Sequence, residues 1–506
     1  MPRAGWGPTV TERGERLIDW GRAGTDRVVG PRGWAALAAV AGLAFVIAAV
    51  VPDSGGARWA LAVVLGVLLM GTCAWAPRQG LVLTLAWLLL LGTTRRVVST
   101  FQGDPSSDPL LLVGPAAAAV LAVFAFALGA LRARGVLATS VAALSVLALV
   151  QVLNPDQGSL RTGLAGLLFW LVPMLWFWVG RGLLDVRRAG TVLVLAALGA
   201  LASSVYALVQ AAIGFPSWDA RWIDDRGYAA LYVGPDTVRP FGPFASAAEL
   251  ALVLGFGIVL AAIVALDRRR VTDRTNTALM LLALGAFAAL VVASGFAAVR
   301  TAIVLTVFAF GIVLAVRAGA GLVRAVMIAV LVLAAMVGVF SQINAEGLHE
   351  SGVQGMVRRV VLGIGDPLGE EHSTLRGHLD LAQNGVEEGF TDPLGDGTGS
   401  VTIAGDRFGG EGRNDTENDL SNAGLAFGIL GMALVATVTV AAFVLVARRV
   451  RERRDVAVLA VLALMLVGLG SWWRGGHWFA APLVWVLLGW LDAPATRTEP
   501  GAALPS

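Results

Sequence analysis

The 506-residue chain is 57% hydrophobic and only 14% charged, with a mean hydropathy of +0.75. An ordinary soluble chain carries roughly 25% charged residues, so a soluble globular domain is excluded and a polytopic helical membrane protein is expected. A net charge of +3 is too small to suggest a nucleic-acid partner, and all 38 basic residues are arginine, a bias that fits GC-rich coding.

The first 33 residues are polar and carry Arg13, Arg16, Arg22, Arg27 and Arg32, with no small-residue cleavage site after a short apolar core. They read as a cytoplasmic segment, not a cleavable signal. Hydropathy then predicts fourteen spans: 34–51, 57–76, 80–94, 110–131, 135–153, 161–180, 190–214, 246–266, 277–296, 301–316, 324–341, 419–447, 456–471 and 477–491. Cys73, the sole cysteine, falls inside the second, so no disulfide forms within the chain. Residues 492–506 form a tail.

Arginine distribution orients these spans. RAR (132–134), RGLLDVRR (181–188), DRRRVTDR (267–274) and RRVRERR (448–454) fall on one side; PDSGG (52–56) and NPDQGS (154–159) fall on the other. The positive-inside rule therefore places both termini in the cytoplasm. Two exoplasmic segments exceed simple connectors: 215–245, within the block of eleven spans over 34–341, and 342–418, before the last three spans over 419–491. From 342 to 419 there are 15 acidic residues against 5 arginines. Leu375, Leu379 and Val386 recur near helical spacing within 372–390, so this loop is expected to be a helical cap. No internal repeat is visible, and the span centres carry almost no charge, which argues against a coupled transporter.

Polar residues concentrate instead at the exoplasmic lip. In VRPFGPFASAAELALVLGFG (238–257), Arg239 precedes a span and Glu249 lies in its first turns. Arg239 reads either as an interfacial partner of Asp236 or as a phosphate ligand, and Glu249 as a charge suited to a helix N-terminus or as a site residue. In ASGFAAVRTAIVLTV (293–307), Arg300 sits on the side where arginine is disfavoured; it reads as snorkelling or as functional. The loop adds Arg376, His349, His372 and His378, but the histidines lack the spacing of a compact metal site and no metal or other cofactor is expected. SWWRGGHWF (471–479) reads as an interfacial tryptophan belt, with Arg474 and His477 as secondary candidates. In NDTENDLSNAGLAFGILG (414–431), capping explains one or two polar residues at a helix start. Asn414, Asp415, Glu417, Asn418 and Asp419 exceed that need, and a partly desolvated Glu417 at the lip suits a proton acceptor.

In order, these pieces resemble the O-antigen ligase and polymerase superfamily. An R-x-x-G-x-F patch is met by Arg239, Gly242 and Phe244; a small-residue-plus-Arg helix start by AAVRTAIV with Arg300; a loop arginine and Gly-rich turn by Arg376 and PLGDGTG. Asn418 stands ten residues before Gly428 of GILG, as in the family, but Glu417 occupies the place of its usual histidine. The region near Ala248 and Glu249 lacks the common asparagine, and the family more often shows about twelve spans. The resemblance covers roughly 236–440. It implies a GT-C-like, metal-independent glycosyltransferase in the bacterial plasma membrane that polymerises or ligates glycan carried on polyprenyl diphosphate. Arg239, Arg300 and Arg376 would hold the diphosphate, Glu417 would act as base on a glycan or lipid-glycan acceptor, and Asn418 would orient it. Polysaccharide assembly or export proteins would be partners. A lipid-linked oligosaccharide flippase and a non-catalytic assembly partner are the rival readings.

Overall fold

The computed structural model describes residues 29–50, 55–102, 108–132, 135–226, 232–233, 237–265, 274–345, 347–369, 375–402, 416–473 and 477–494. Seven apolar helices come first: α1 (Pro31–Val50), α2 (Gly55–Trp75), α3 (Pro77–Gln102), α4 (Leu110–Ala127), α5 (Val136–Gln151), α6 (Leu160–Leu183) and α7 (Val186–Ala212). A short helix α8 (Ser217–Arg226) and a two-stranded hairpin follow, with β1 (Tyr232–Val233) antiparallel to β2 (Thr237–Val238). Then come α9 (Ala247–Ala265), α10 (Arg274–Ala297), α11 (Arg300–Arg317) and α12 (Leu322–Phe340). The large loop contributes α13 (Gly352–Gly365) and α14 (Leu375–Thr391), and α15 (Asp419–Glu452), α16 (Val456–Val467) and α17 (Ala480–Asp492) complete the chain.

The protein is thus an all-α multi-pass membrane protein, with one four-residue hairpin among the described residues. Among the described residues nine helices are long and apolar enough to cross a membrane: α2, α3, α4, α6, α7, α9, α11, α12 and α15. Shorter apolar stretches lie in α1, α5, α10, α16 and α17, so every segment marked by hydropathy carries a helix.

Local chemistry explains the ends. Pro31 and Pro77 open α1 and α3, where the missing amide hydrogen costs nothing. Ser159, Asp185 and Asp455 accept backbone hydrogen bonds from Thr162, Arg188 and Val458 and so cap α6, α7 and α16. The third span is longer than the expected 80–94, because Arg95 and Arg96 are ion-paired at its end and the helix continues past them.

Close packing relies on small residues, as it must where lipid gives helices no hydrophobic reason to associate. Gly180 of α6 lies against the Val486 backbone of α17, and Gly489 of α17 against that of Phe177. A side chain at either would force the two helices apart. Of the nine long apolar helices the most enclosed is α9, which packs against α7, α10, α11 and α16. At the other extreme, α12 buries little beyond Ala325 and Ala329 and presents Val323, Met327 and Leu331 outward.

Candidate functional site

The candidate residues gather at the end of the bundle that carries the large loop. A buried polar clamp organises that end. Arg96 of α3 donates from Nε to Asp219 Oδ1 of α8 at 2.6 Å, and Asp219 Oδ2 accepts from Tyr206 Oη at 2.6 Å and Gln210 Nε2 at 2.7 Å. Arg96 also donates from Nη2 to the Gly242 carbonyl at 2.8 Å and from Nη1 to the Phe244 carbonyl. Gln210 Oε1 accepts from the Gly242 amide at 2.8 Å and the Phe241 amide at 3.1 Å. Gly242 sits at φ +56°, a conformation that a side chain would strain. The Gly and Phe of the Arg239 patch are therefore a backbone turn gripped by Arg96 and Gln210. A second pairing lies beside it: Arg95 Nε donates to Asp108 at 2.6 Å, and Arg58 approaches the same oxygen at 3.8 Å.

Arg239 follows β2 and is half-buried. Asp236, its suggested partner, lies outside the described residues. Thr237 Oγ1 accepts from the Gly352 amide at 2.6 Å, which ties the hairpin to the start of α13. On that same helix, Gly363 leaves the space that the Arg300 guanidinium occupies. Arg359, one turn before Gly363, is close enough to oppose the charge of Arg300. Two half-buried arginines thus stand near each other at α11 and α13.

Glu249 is fully buried in α9, where Oε1 accepts from the Phe479 amide at 2.7 Å and the Ala480 amide at 3.3 Å. It satisfies the N-terminus of α17 and does not open to a site. Arg376, on the first turn of α14, is exposed. His372 and Arg474 lie outside the described residues, as do Asn414 and Asp415. His477 is buried and lines an apolar crevice with Leu88, Pro115, Phe169, Pro173 and Trp478, enclosing about 410 Å³ including its mouth.

The Gly-rich turn and the GILG sequence meet in space. Gly428 adopts φ +62° and ψ −155° inside α15, interrupting the helix. The turn supplies the missing partners: the Asp396 amide donates to the Leu425 carbonyl at 2.9 Å and the Gly397 amide to the Ala426 carbonyl at 3.0 Å. Gly395, at φ +68°, and Gly428 are each so close to the opposite backbone that a Cβ would collide with it. From the far side, Gln151 Nε2 donates to the Leu394 carbonyl at 2.7 Å and Asn154 Nδ2 to the Gly395 carbonyl at 2.6 Å. A broken helix is tolerated at membrane depth where its freed backbone is satisfied in this way. Asp396 is pushed up to about 6, first by burial and then by the nearby Asp392 and Asp156 carboxylates.

Immediately before α15, the acids divide their work. Asp419 is buried; its Oδ2 accepts from the Trp472 amide at 2.5 Å and Oδ1 from the Trp473 amide at 3.1 Å, while its own amide donates to the Gly470 carbonyl at 3.0 Å. This pulls the 470–473 turn inward, so Trp472 and Trp473 pack against Trp485 inside the protein. The expected interfacial belt is corrected at these two positions. Asn418 caps the helix, its Oδ1 accepting from the Leu420 amide at 2.9 Å.

Glu417 itself is left half-exposed at φ +60°, in a conformation that costs a non-glycine residue roughly 1–3 kcal/mol. Thr416 holds it there, since both its amide and its hydroxyl donate to Asn422 Oδ1, at 2.9 and 2.8 Å. The carboxylate is 3.2 Å from His378 Nδ1 of α14. Nδ1 is shut off from solvent while the imidazole is 42% exposed overall, so the open part of the ring lies away from Glu417.

Sequence reasoning singled out Arg300 and Glu417 but not Arg359 or His378 as their neighbours, because both contacts depend on how α13 and α14 fold back. It also missed Arg96 and Asp219. An arginine pair at the end of an apolar helix is costly without buried partners, and that cost was the available signal. No family model matches the chain, and no curated protein sequence does.

Proposed function

We propose that the chain is a fourteen-span, N-in and C-in glycosyltransferase of the bacterial plasma membrane, which polymerises or ligates polyprenyl-diphosphate-linked glycan at the exoplasmic face. The observation that carries this reading is the Arg300–Arg359 pair. Two guanidinium groups near each other in a half-buried site suit a diphosphate, which brings two negative charges and the oxygen geometry that guanidinium forks favour. Arg239 follows the hairpin tied to the same helix, and Arg376 is exposed on the first turn of α14.

In this mechanism the acceptor hydroxyl oxygen attacks the anomeric carbon of the donor sugar. The bond from that carbon to the diphosphate oxygen breaks, and polyprenyl diphosphate leaves with the electron pair. Arg300 and Arg359 stabilise the charge that grows on the leaving group. The acceptor's proton passes to the Glu417 carboxylate, which becomes the neutral acid, while His378 Nδ1 at 3.2 Å holds the carboxyl group in position. The histidine that the superfamily places beside Asn418 would here be supplied from α14. The apolar crevice beneath His477 is suited to part of the lipid tail.

The test is purified protein given a lipid-linked oligosaccharide, with product length followed over time. Glu417→Gln is expected to lower elongation about 10²–10⁴-fold and Arg300→Ala or Arg359→Ala about 10²–10³-fold, each with the fold retained. Full activity in Glu417→Gln would remove it as the base. Transfer of lipid-linked sugar across vesicles without elongation would replace the reading with a flippase.

A further inference from the structure

At the opposite end of the bundle a second basic feature has no part in this chemistry. The start of α12, the end of α15 and the α15–α16 turn enclose an open cleft of about 770 Å³ lined by Ala320, Gly321, Val323, Arg324, Arg451 and Arg454. The acids at this corner are already engaged. Glu452 pairs with Arg449 at 3.3 Å, and Asp455 caps α16. Arg454 donates to the Val316 carbonyl at 3.2 Å, while among the described residues the side chains of Arg324 and Arg451 have no hydrogen bond or ion pair. A general excess of arginine on the cytoplasmic side accounts for their presence. It does not account for their convergence on a void.

Above this cleft the surface changes to one that fits acyl chains. Val323 lines the cleft, and Met327 and Leu331 continue its stripe at i, i+4 and i+8 along α12, exposed to 73%, 60% and 68%. Three cations below a continuous apolar stripe on a lipid-facing span match one anionic phospholipid, with its phosphate among the arginines and a chain along α12. Basic clefts between spans on the cytoplasmic side are suited to such headgroups. We propose that the corner formed by Arg324, Arg451 and Arg454 is a binding site for an anionic phospholipid of the cytoplasmic leaflet. Only the leaflet assignment rests on the topology proposed above.

The experiment uses the full chain in vesicles containing either a phosphatidylglycerol or a phosphatidylcholine that carries a photoreactive group in its acyl chain. Labelled residues are mapped by mass spectrometry. The expected result is labelling at Met327 and Leu331 at least 10-fold stronger with the anionic lipid. Each Arg→Gln change should lower that preference about 5-fold at low ionic strength, and the Arg324→Gln/Arg451→Gln/Arg454→Gln variant should abolish it. Equal labelling by the two lipids, or a preference that survives in the triple variant shown to be monodisperse and helical, overturns the proposal. So does loss of labelling on adding inorganic phosphate but not ionic-strength-matched chloride, which would make this a site for soluble anions. Labelling needs no donor or turnover, so Glu417→Gln should label like the unmodified chain, and failure of the glycosyltransferase reading leaves this result untouched.

Discussion

Arg96 and Arg300 both sit at the loop end of an apolar helix, yet their surroundings are opposite. Arg96 is buried with a carboxylate and two carbonyl oxygens, each of which it satisfies. Arg300 is half-buried beside another arginine. The first arrangement answers its charge with a buried carboxylate, whereas the second sets a like charge near it. The partner, not the position at the membrane lip, separates a structural arginine from a candidate binding one.

The largest expected effect breaks the completed arrangement. Arg96→Ala leaves Asp219 charged and buried, and should cost about 3–5 kcal/mol in reversible unfolding. Arg300→Ala should cost less, about 1 kcal/mol, while losing transfer activity. Equal destabilisation by the two would erase the distinction. The same contrast without charge lies in Leu254 of α9, fully buried, and Leu331 of α12, 68% exposed. Leu254→Ala should cost about 2–5 kcal/mol and Leu331→Ala less than about 1 kcal/mol, measured by thermal unfolding in one detergent.

The acids offer the next test. Asp419→Asn removes an acceptor from the Trp472 or Trp473 amide and should cost about 1–3 kcal/mol, read also as a shift in tryptophan fluorescence. Glu417→Gln should change both less, because the Glu417 side chain is 43% exposed whereas Asp419 is buried. The smallest effect is the pH dependence of the 392–399 turn. Asp396 titrates near 6 when docked and near its ordinary 3.8 when released, so docking favours its neutral form. The stabilisation is full below about 3.8 and is lost as pH rises through about 6. Hydrogen exchange at the Asp396 and Gly397 amides should therefore be better protected at pH 4.5 than at pH 7.5. Asp396→Asn should remove the difference, and protection that rises with pH would reverse the assignment.

Much of the fold was legible because span length and hydropathy are set by the membrane. The helix over 375–391 was legible from the spacing of Leu375, Leu379 and Val386. Neighbours were not. Over their most apolar windows α9 and α12 have mean hydropathies of 2.5 and 2.6, yet 83% of one window and 11% of the other is buried. Apolar residues suit lipid and protein equally, so composition does not say which they face. Small residues such as Gly180 and Gly489 carry that information, and they acquire meaning only once the facing helix is known. At the site, Glu417 stood out by its charge, whereas His378 reaches it only through the return of α14 onto α15.

The break at Gly428 also bears on how the protein is made. The outer turns of α15 are held to the lower ones through hydrogen bonds with residues 396 and 397, which themselves rest on Gln151 and Asn154. The turn is synthesised before the span it completes and after the helices that receive it. Seated on α5 and its following loop, it presents two amides to the span that follows. A chain lacking residues 392–399 should therefore leave the Leu425 and Ala426 carbonyls unsatisfied at the break, and limited proteolysis should find its last three helices less protected.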